Sequence, residues 1–222
     1  THLIQMNEIP CSLPQLENGE INWKKVNQRW KAPLMEECLP RVGAEPFFML
    51  HALTGQESIE QATLELRQFC TERNIEQIIA VDNGGDILKP IENMAEIESA
   101  GRDQKVLEVL KAIALPTFVV VVAPGSDGDF TQVEMTQLRN QFVETHQDLG
   151  VFSLNPFRPT FTRLSKWMGA QRTFNIVNQS WKKAPNGEGI MTVNRGKGKY
   201  KRQQNIPHKW IQSGWVFQLK IE

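Results

Sequence analysis

Cysteine is scarce. The 222 residues hold three, Cys11, Cys38 and Cys70, and none falls in a CxxC pair. An odd, scattered count speaks against a disulfide framework and for a reducing compartment. The four histidines form no HxxxH pair, which removes the usual zinc patterns. No apolar run approaches the roughly 20 residues that cross a bilayer. The longest, Phe118 to Ala123, is strand-sized. The residues after Thr1 do not read as a secretion leader. The GxxxxGK[ST] phosphate loop, the GxGxxG fingerprint and the GxSxG nucleophile elbow are all missing. These absences lead us to expect a cytoplasmic protein without a membrane partner. Secretion into another cell leaves little trace in composition and stays open.

Net charge is zero, yet the two signs are separated. Residues 1–150 carry 12 Lys and Arg against 23 Asp and Glu, whereas residues 151–222 carry 13 against two, Glu188 and Glu222. The basic end therefore meets something acidic. Two candidates differ in kind: the acidic part of the same chain, or a phosphate-bearing ligand or nucleic acid.

Hydrophobic residues make up 40% of the chain, enough for one sizeable core. Thr1 to Met6 reads as a short strand. Residues 7–46 carry five prolines and read as irregular, although Trp23 and Trp30 share a helical face. Phe47 to Leu53 reads as a strand, and Glu57 to Asn74 as a helix with Ile59, Ala62, Leu66 and Phe69 on one side. A strand over Ile75 to Val81, a helix over Asp103 to Ile113 and a strand over Thr117 to Ala123 follow. A helix over Thr131 to His146 and a short strand over Gly150 to Leu154 complete this part. Alternation of strand and helix, with strands apolar on both faces, predicts parallel βαβ units covered by helices on both sides. The expected fold is α/β: a doubly wound, mainly parallel Rossmann-like sheet over residues 1–155. Residues 156–222 form a small basic extension packed on it. There, Phe161 to Lys183 reads as a helix, "GIMTVNRGKGKYKRQQ" as a hairpin and Trp215 to Ile221 as a strand.

In an open α/β sheet, ligands bind beyond the carboxyl ends of the strands. Two motifs fall at that edge. "VDNGGD" ends the strand at Val81, and "APGSDGDF" ends the strand at Ala123. Glycine permits tight turns and close approach of backbone to a ligand. Carboxylates hold a hard cation such as Mg²⁺ or Mn²⁺, or accept from ribose hydroxyls. Asp82, Asp86, Asp127 and Asp129 are the candidate metal ligands. Asp86 and Asp127 are the candidate catalytic acid or base, provided burial raises a pKa. Asp82, Asn83, Gly84, Gly85, Arg102, Gly125 and Gly128 are the candidate ligand-binding residues. The competing reading is plain loop chemistry, with Asp129 capping the following helix.

"VDNGGDIL", "GRDQKVLEVL" and "APGSDGDFTQVEM", in this order, resemble an uncharacterised archaeal and bacterial family, domain of unknown function 1152. "GEINWKK" resembles a Trp-containing segment nearer the family's N-terminus. The resemblance covers roughly residues 20–155. It implies a Rossmann-like fold and singles out Asp82, Gly84, Gly85, Asp86, Arg102, Asp103, Gly125, Asp127 and Asp129. Two features depart from the family. Its usual DGE is DGD here, one methylene shorter. Its Gly-rich turn after a first strand is absent, so an upstream segment or partner chain is expected to complete the sheet beside Ile78 to Val81.

Arg102, at a helix start, is placed to bind phosphate, with Asp103 expected as the N-cap. His51 reads as a hydrogen-bonded core residue more than a general base. His208 reads as exposed. In the tail, Arg195, Lys197, Lys199, Lys201 and Arg202 surround Tyr200, with Trp210 and Trp215 beyond. Such interleaving grips single-stranded nucleic acid; the competing reading makes the tryptophans core. Two functions follow. One is a domain binding a phosphorylated or nucleotide-like small molecule with a divalent cation, which would suit an enzyme. The other is an interaction module that holds nucleic acid or an acidic protein through its basic end.

Overall fold

The computed structural model describes residues 3–5, 48–50, 53, 55–91, 100–156, 171–195 and 202–220. The Trp23–Trp30 face, the proline-bearing stretch, His51, Lys197, Lys199, Tyr200 and Lys201 lie outside them.

Strand β1 (Leu3–Gln5) pairs antiparallel with β2 (Phe48–Leu50) as a separate two-stranded ribbon. Helix α1 (Gln56–Glu72) buries Ile59 and Ala62 and carries Gln–Glu hydrogen bonds one turn apart on its outer face. It stops where Asn74 takes a left-handed conformation, φ 52°. Strand β3 (Ile78–Asn83) leads through Gly84 and Gly85 into a 3₁₀ turn, Asp86–Leu88. Helix α2 (Arg102–Ala112), β4 (Thr117–Val122), α3 (Gln132–Thr145) and β5 (Gln147–Ser153) follow. Helix α3 opens on a complete capping box: Glu134 N–H donates to Thr131 Oγ1, and Thr131 N–H donates to Glu134 Oε2. The cap expected at Asp129 is therefore Thr131. The chain ends in α4 (Gln171–Lys183), the hairpin β6 (Ile190–Arg195) and β7 (Arg202–Pro207), the short α5 (His208–Ile211) and β8 (Ser213–Gln218).

The fold is α/β, and its main sheet is mixed. The strand order is β3-β4-β8-β5, with β3 parallel to β4 and β8 antiparallel to both its neighbours. So β3, β4 and β5 run the same way, as their helix-spaced order predicts. One of the three strand interfaces is parallel, against the expectation of a mainly parallel sheet. The reason is β8, which comes from the basic C-terminal segment and enters between β4 and β5. Strand β2 pairs with β1 and not with the main sheet.

Alternation along the strands separates two faces. Val119, Val121, Trp215 and Phe217 face one way and are buried under α1, α2 and α3, with Leu107, Leu110, Met135 and Phe142 among their neighbours. A second apolar cluster joins Ala123 and Leu154 to Val177 of α4, Met191 and Val193 of β6, Ile206 of β7 and Ile211 of α5. The opposite face is open at β3, where Ile79 is 58% and Val81 46% exposed. Both-sided cover was expected there, and the described helices do not supply it. Among the described strands β3 is also an edge.

His208 corrects the expectation of exposure. It is buried, and its Nδ1 lies 2.8 Å from Ser180 Oγ, while Gln212 Nε2 donates to Ser180 Oγ and to the Ala184 carbonyl. Ser180 is itself fully buried. The pair pins α4 to α5 and offers no accessible nucleophile. Burial, with Lys183 nearby, holds the His208 imidazole below its ordinary pKa. Trp215 is likewise core. It is 2% exposed and meets Trp210 edge-on, with ring centres 5.3 Å apart, so its ring is not available to a base.

Candidate functional site

The site begins where β3 and β4 run out. Parallel pairing stops at Asn83 opposite Val122, and two further backbone bonds tie the loops beyond: Gly84 N–H to the Val122 carbonyl at 3.0 Å, and Gly125 N–H to the Gly84 carbonyl at 2.7 Å. The two Gly/Asp motifs are thus laced edge to edge.

Glycine is required here for two separate reasons. Gly84 and Gly85 both hold φ above +100°, which L side chains rarely adopt. Neither has room for a Cβ. At Gly84 it would collide with the Asp127 carboxylate, and at Gly85 it would lie 2.7 Å from Met135 Cε. Gly125 and Gly128 also turn through positive φ, and Gly125 packs on Ile206. The β4 loop includes a buried non-glycine in the same region, Ala123 at φ 50°. Such strain persists only where surroundings over-determine the backbone.

These turns gather five carboxylates. Oxygens of Asp82, Asp86 and Asp103 lie within 4.8 Å of one another, and so do oxygens of Asp86, Asp127 and Asp129. The four expected metal ligands are thus linked through Asp86, which belongs to both groups. The fifth, Asp103, was expected as a helix N-cap. Gly101 occupies that position instead, and Asp103 sits in the first turn of α2 facing Asp82 and Asp86. Its spacing in "GRD" fits either role, so the sequence alone did not separate them.

Asp82 is 9% exposed, and its Oδ2 has no hydrogen-bond partner. Backbone N–H groups of Gly85 and Ile87 donate to the same carboxylate. Burial, then the charges of Asp103 and Asp127, raise the Asp82 pKa to about 7. Asp86 is less buried but faces more carboxylates. Burial and the charges of Asp82, Asp103 and Asp127 raise its pKa to about 8, and a hydrogen bond with Asp103 adds to this. A negative oxygen left without a donor in such surroundings is costly unless a cation or proton meets it.

The cluster opens on a cleft of about 550 Å³, also lined by Asn83, Arg102 and Val106. Arg102, the first residue of α2, is exposed at its side. Asn83, Gly84 and Gly85 thus fall at the cleft or in the turn beneath it, and Gly125 and Gly128 in the partner loop. One supporting residue was missed. Gln104 is buried and its Nε2 donates to the Asp86 carbonyl at 2.6 Å, fixing the 3₁₀ turn to the start of α2. A glutamine in a helix carries no sequence signal for this.

A family model described as "Protein of unknown function (DUF1152)" matches residues 15–168, more than half of the chain. The chain belongs to this family. The match spans both Gly/Asp motifs and the GRD segment and stops before α4 and β8. Comparisons with curated proteins and with solved structures return no match. Membership in DUF1152 thus agrees with the resemblance carried by "VDNGGDIL" and "APGSDGDF", and it brings no activity with it.

The geometry makes Gly84→Ala a sharp probe. The added methyl must displace Asp127 or unwind a left-handed turn, so the variant should lose about 1–3 kcal/mol of stability. A chemical-denaturation midpoint equal to that of the unchanged protein would show that the turn is not fixed as described.

Proposed function

We propose that this protein binds a phosphorylated or nucleotide-like small molecule together with a divalent cation, Mg²⁺ or Mn²⁺. The observation that carries this reading is Asp82 Oδ2, buried without a partner inside a cluster of carboxylates. Hard cations take oxygen ligands, and carboxylates are their commonest protein donors. Asp82, Asp86, Asp103, Asp127 and Asp129 are the residues that would hold it. Arg102 supports the phosphate: a guanidinium at the first turn of a helix, beside the cation position, matches an anion in geometry and charge. When bound, the cation would neutralise phosphate oxygens and polarise the phosphorus they surround.

Position in the sheet supports the same reading. The cleft lies at the carboxyl ends of β3 and β4, where open α/β sheets hold ligands. We read the sheet as a Rossmann-like relative with one antiparallel insertion. In the cation-free protein Asp86, with its raised pKa, is the group suited to hold a proton, with Asp127 next to it, and a bound cation would displace that proton. No helix among the described residues is long and apolar enough to cross a membrane. Buried Cys70, its thiol pKa raised by burial, is free, which suits our proposal of a cytoplasmic setting.

Calorimetry with Mg²⁺ or Mn²⁺, alone and with a nucleotide and sugar-phosphate panel, tests the proposal. Cation binding that is lost in Asp86→Ala, and phosphate binding that needs the cation and weakens in Arg102→Ala, are expected. Absence of cation binding at pH 8, or unchanged binding in Asp86→Ala, would overturn it.

A further inference from the structure

We infer that the carboxylate cluster is a two-cation centre, with Asp86 as the bridging ligand; this rests on the single-site reading above and extends it. Two triplets, not one, meet the geometric condition for a metal. Asp82, Asp86 and Asp103 form the first, and Asp86, Asp127 and Asp129 the second. They share Asp86 alone. A carboxylate has two oxygens and spans two cations about 3.5–4 Å apart, the separation used by two-metal phosphatases and nucleases.

The triplets also come from different parts of the chain. The first joins the end of β3 to the start of α2, and the second joins the same turn to the loop after β4. Asp86 lies on the short 3₁₀ turn between them, held by Gln104 through its own carbonyl. Mg²⁺ is usually held by one or two carboxylates and keeps waters or phosphate oxygens for the rest. Five carboxylates in two triplets are more than one such cation usually takes.

Charge gives a separate reason. Five carboxylates crowd one partly buried cleft, and two divalent cations offset more of their negative charge than one does. Buried charge without compensation is unfavourable, so the second cation improves the balance. The buried, unpartnered Oδ2 of Asp82 belongs to the first triplet. The ligand class would narrow accordingly to a phosphate ester.

Mn²⁺ titration of the full chain, followed by calorimetry and electron paramagnetic resonance, tests this. Two ions per chain and an exchange-coupled spectrum are expected at saturation. Asp103→Asn should weaken one site more than about 10-fold and leave the other, and Asp129→Asn should do the same for the opposite site. Asp86→Asn should weaken both and abolish the coupling. One ion per chain would overturn the two-cation centre and leave the single-cation reading standing. Two ions with uncoupled spectra, insensitive to Asp86→Asn, would overturn it too, by putting them apart. No bound ion would overturn both readings. The stoichiometry of the unchanged protein decides even if a variant fails to fold.

Discussion

Stripped of divalent cations with a chelator, the protein should lose stability as pH rises from about 4 to 8. The carboxyl of Asp82 has an ordinary value of 3.8 and stands at about 7 in the fold. A folded-state pKa above the unfolded one means that the native chain holds the proton more tightly. Its stabilising share is complete below about 4 and is lost as pH passes through 7. The difference between 3.8 and about 7 corresponds to roughly 4 kcal/mol, or a melting temperature lower by about 10 °C in a chain of this size. Asp86, with a pKa of about 8, shifts the same way. A divalent cation should oppose the trend, because it binds the ionised carboxylates. At a concentration 100-fold above its Kd it adds about 2.7 kcal/mol, and that gain should vanish near pH 5, where protons compete. Asp82→Asn should flatten part of the chelator curve, raise the melting temperature at pH 8 and weaken the cation response. Melting curves from pH 4 to 9, with chelator or with Mg²⁺, give the answer. A flat chelator curve would contradict the burial of Asp82, and an equal Mg²⁺ gain at pH 5 and pH 8 would contradict its role as ligand.

How far this site was legible follows from which signals are local. "VDNGGD" and "APGSDGD" combine a strand end with turn residues, and both features are written in adjacent positions. Their meeting was inferable because parallel neighbours put their carboxyl ends together, and β3 and β4 are parallel neighbours. Asp103 was harder. At a helix start the same residue type serves as cap or as ligand, and only the observed Gly101 cap separates the roles. Gln104 was not legible at all, since its hydrogen bond reaches 18 residues back to a turn. The mixed sheet failed for a related reason. The alternation in Trp215 to Ile221 correctly suggested a strand, but periodicity names an element and not its partner. Basic composition drew attention to an appended unit, whereas Gly214, Trp215 and Phe217 are buried in the sheet itself. Apolar strands expected to be covered on both sides are half open at Ile79 and Val81, because among the described helices α1, α2 and α3 pack one face of β3.

The position of β8 leads to the other large effect: removal of residues 208–222 should abolish folding. Strand β8 pairs with β4 on one side and β5 on the other, so its loss leaves β5 without its partner among the described strands and β4 paired with β3 alone. It also removes Trp215 and Phe217 from the core under α3. Phe217 meets Phe142 with ring centres 5.0 Å apart, and the Arg139 guanidinium lies 4.9 Å over the Trp215 ring. Unpaired backbone in a central slot has no water to turn to and no second strand to replace it. A milder cut gives a graded version. Trp215→Ala leaves the strand but empties a large, fully packed side chain, at a cost of about 3–5 kcal/mol, a substantial part of the roughly 5–15 kcal/mol that holds a domain together. Urea denaturation followed by far-ultraviolet circular dichroism measures both. The shortened chain should be aggregated or lack a cooperative transition, and Trp215→Ala should unfold at markedly lower urea. A shortened chain that stays monomeric, unfolds cooperatively and keeps the cation response would mean that β4 and β5 do not need β8 between them, and that the C-terminal segment is an appendage after all.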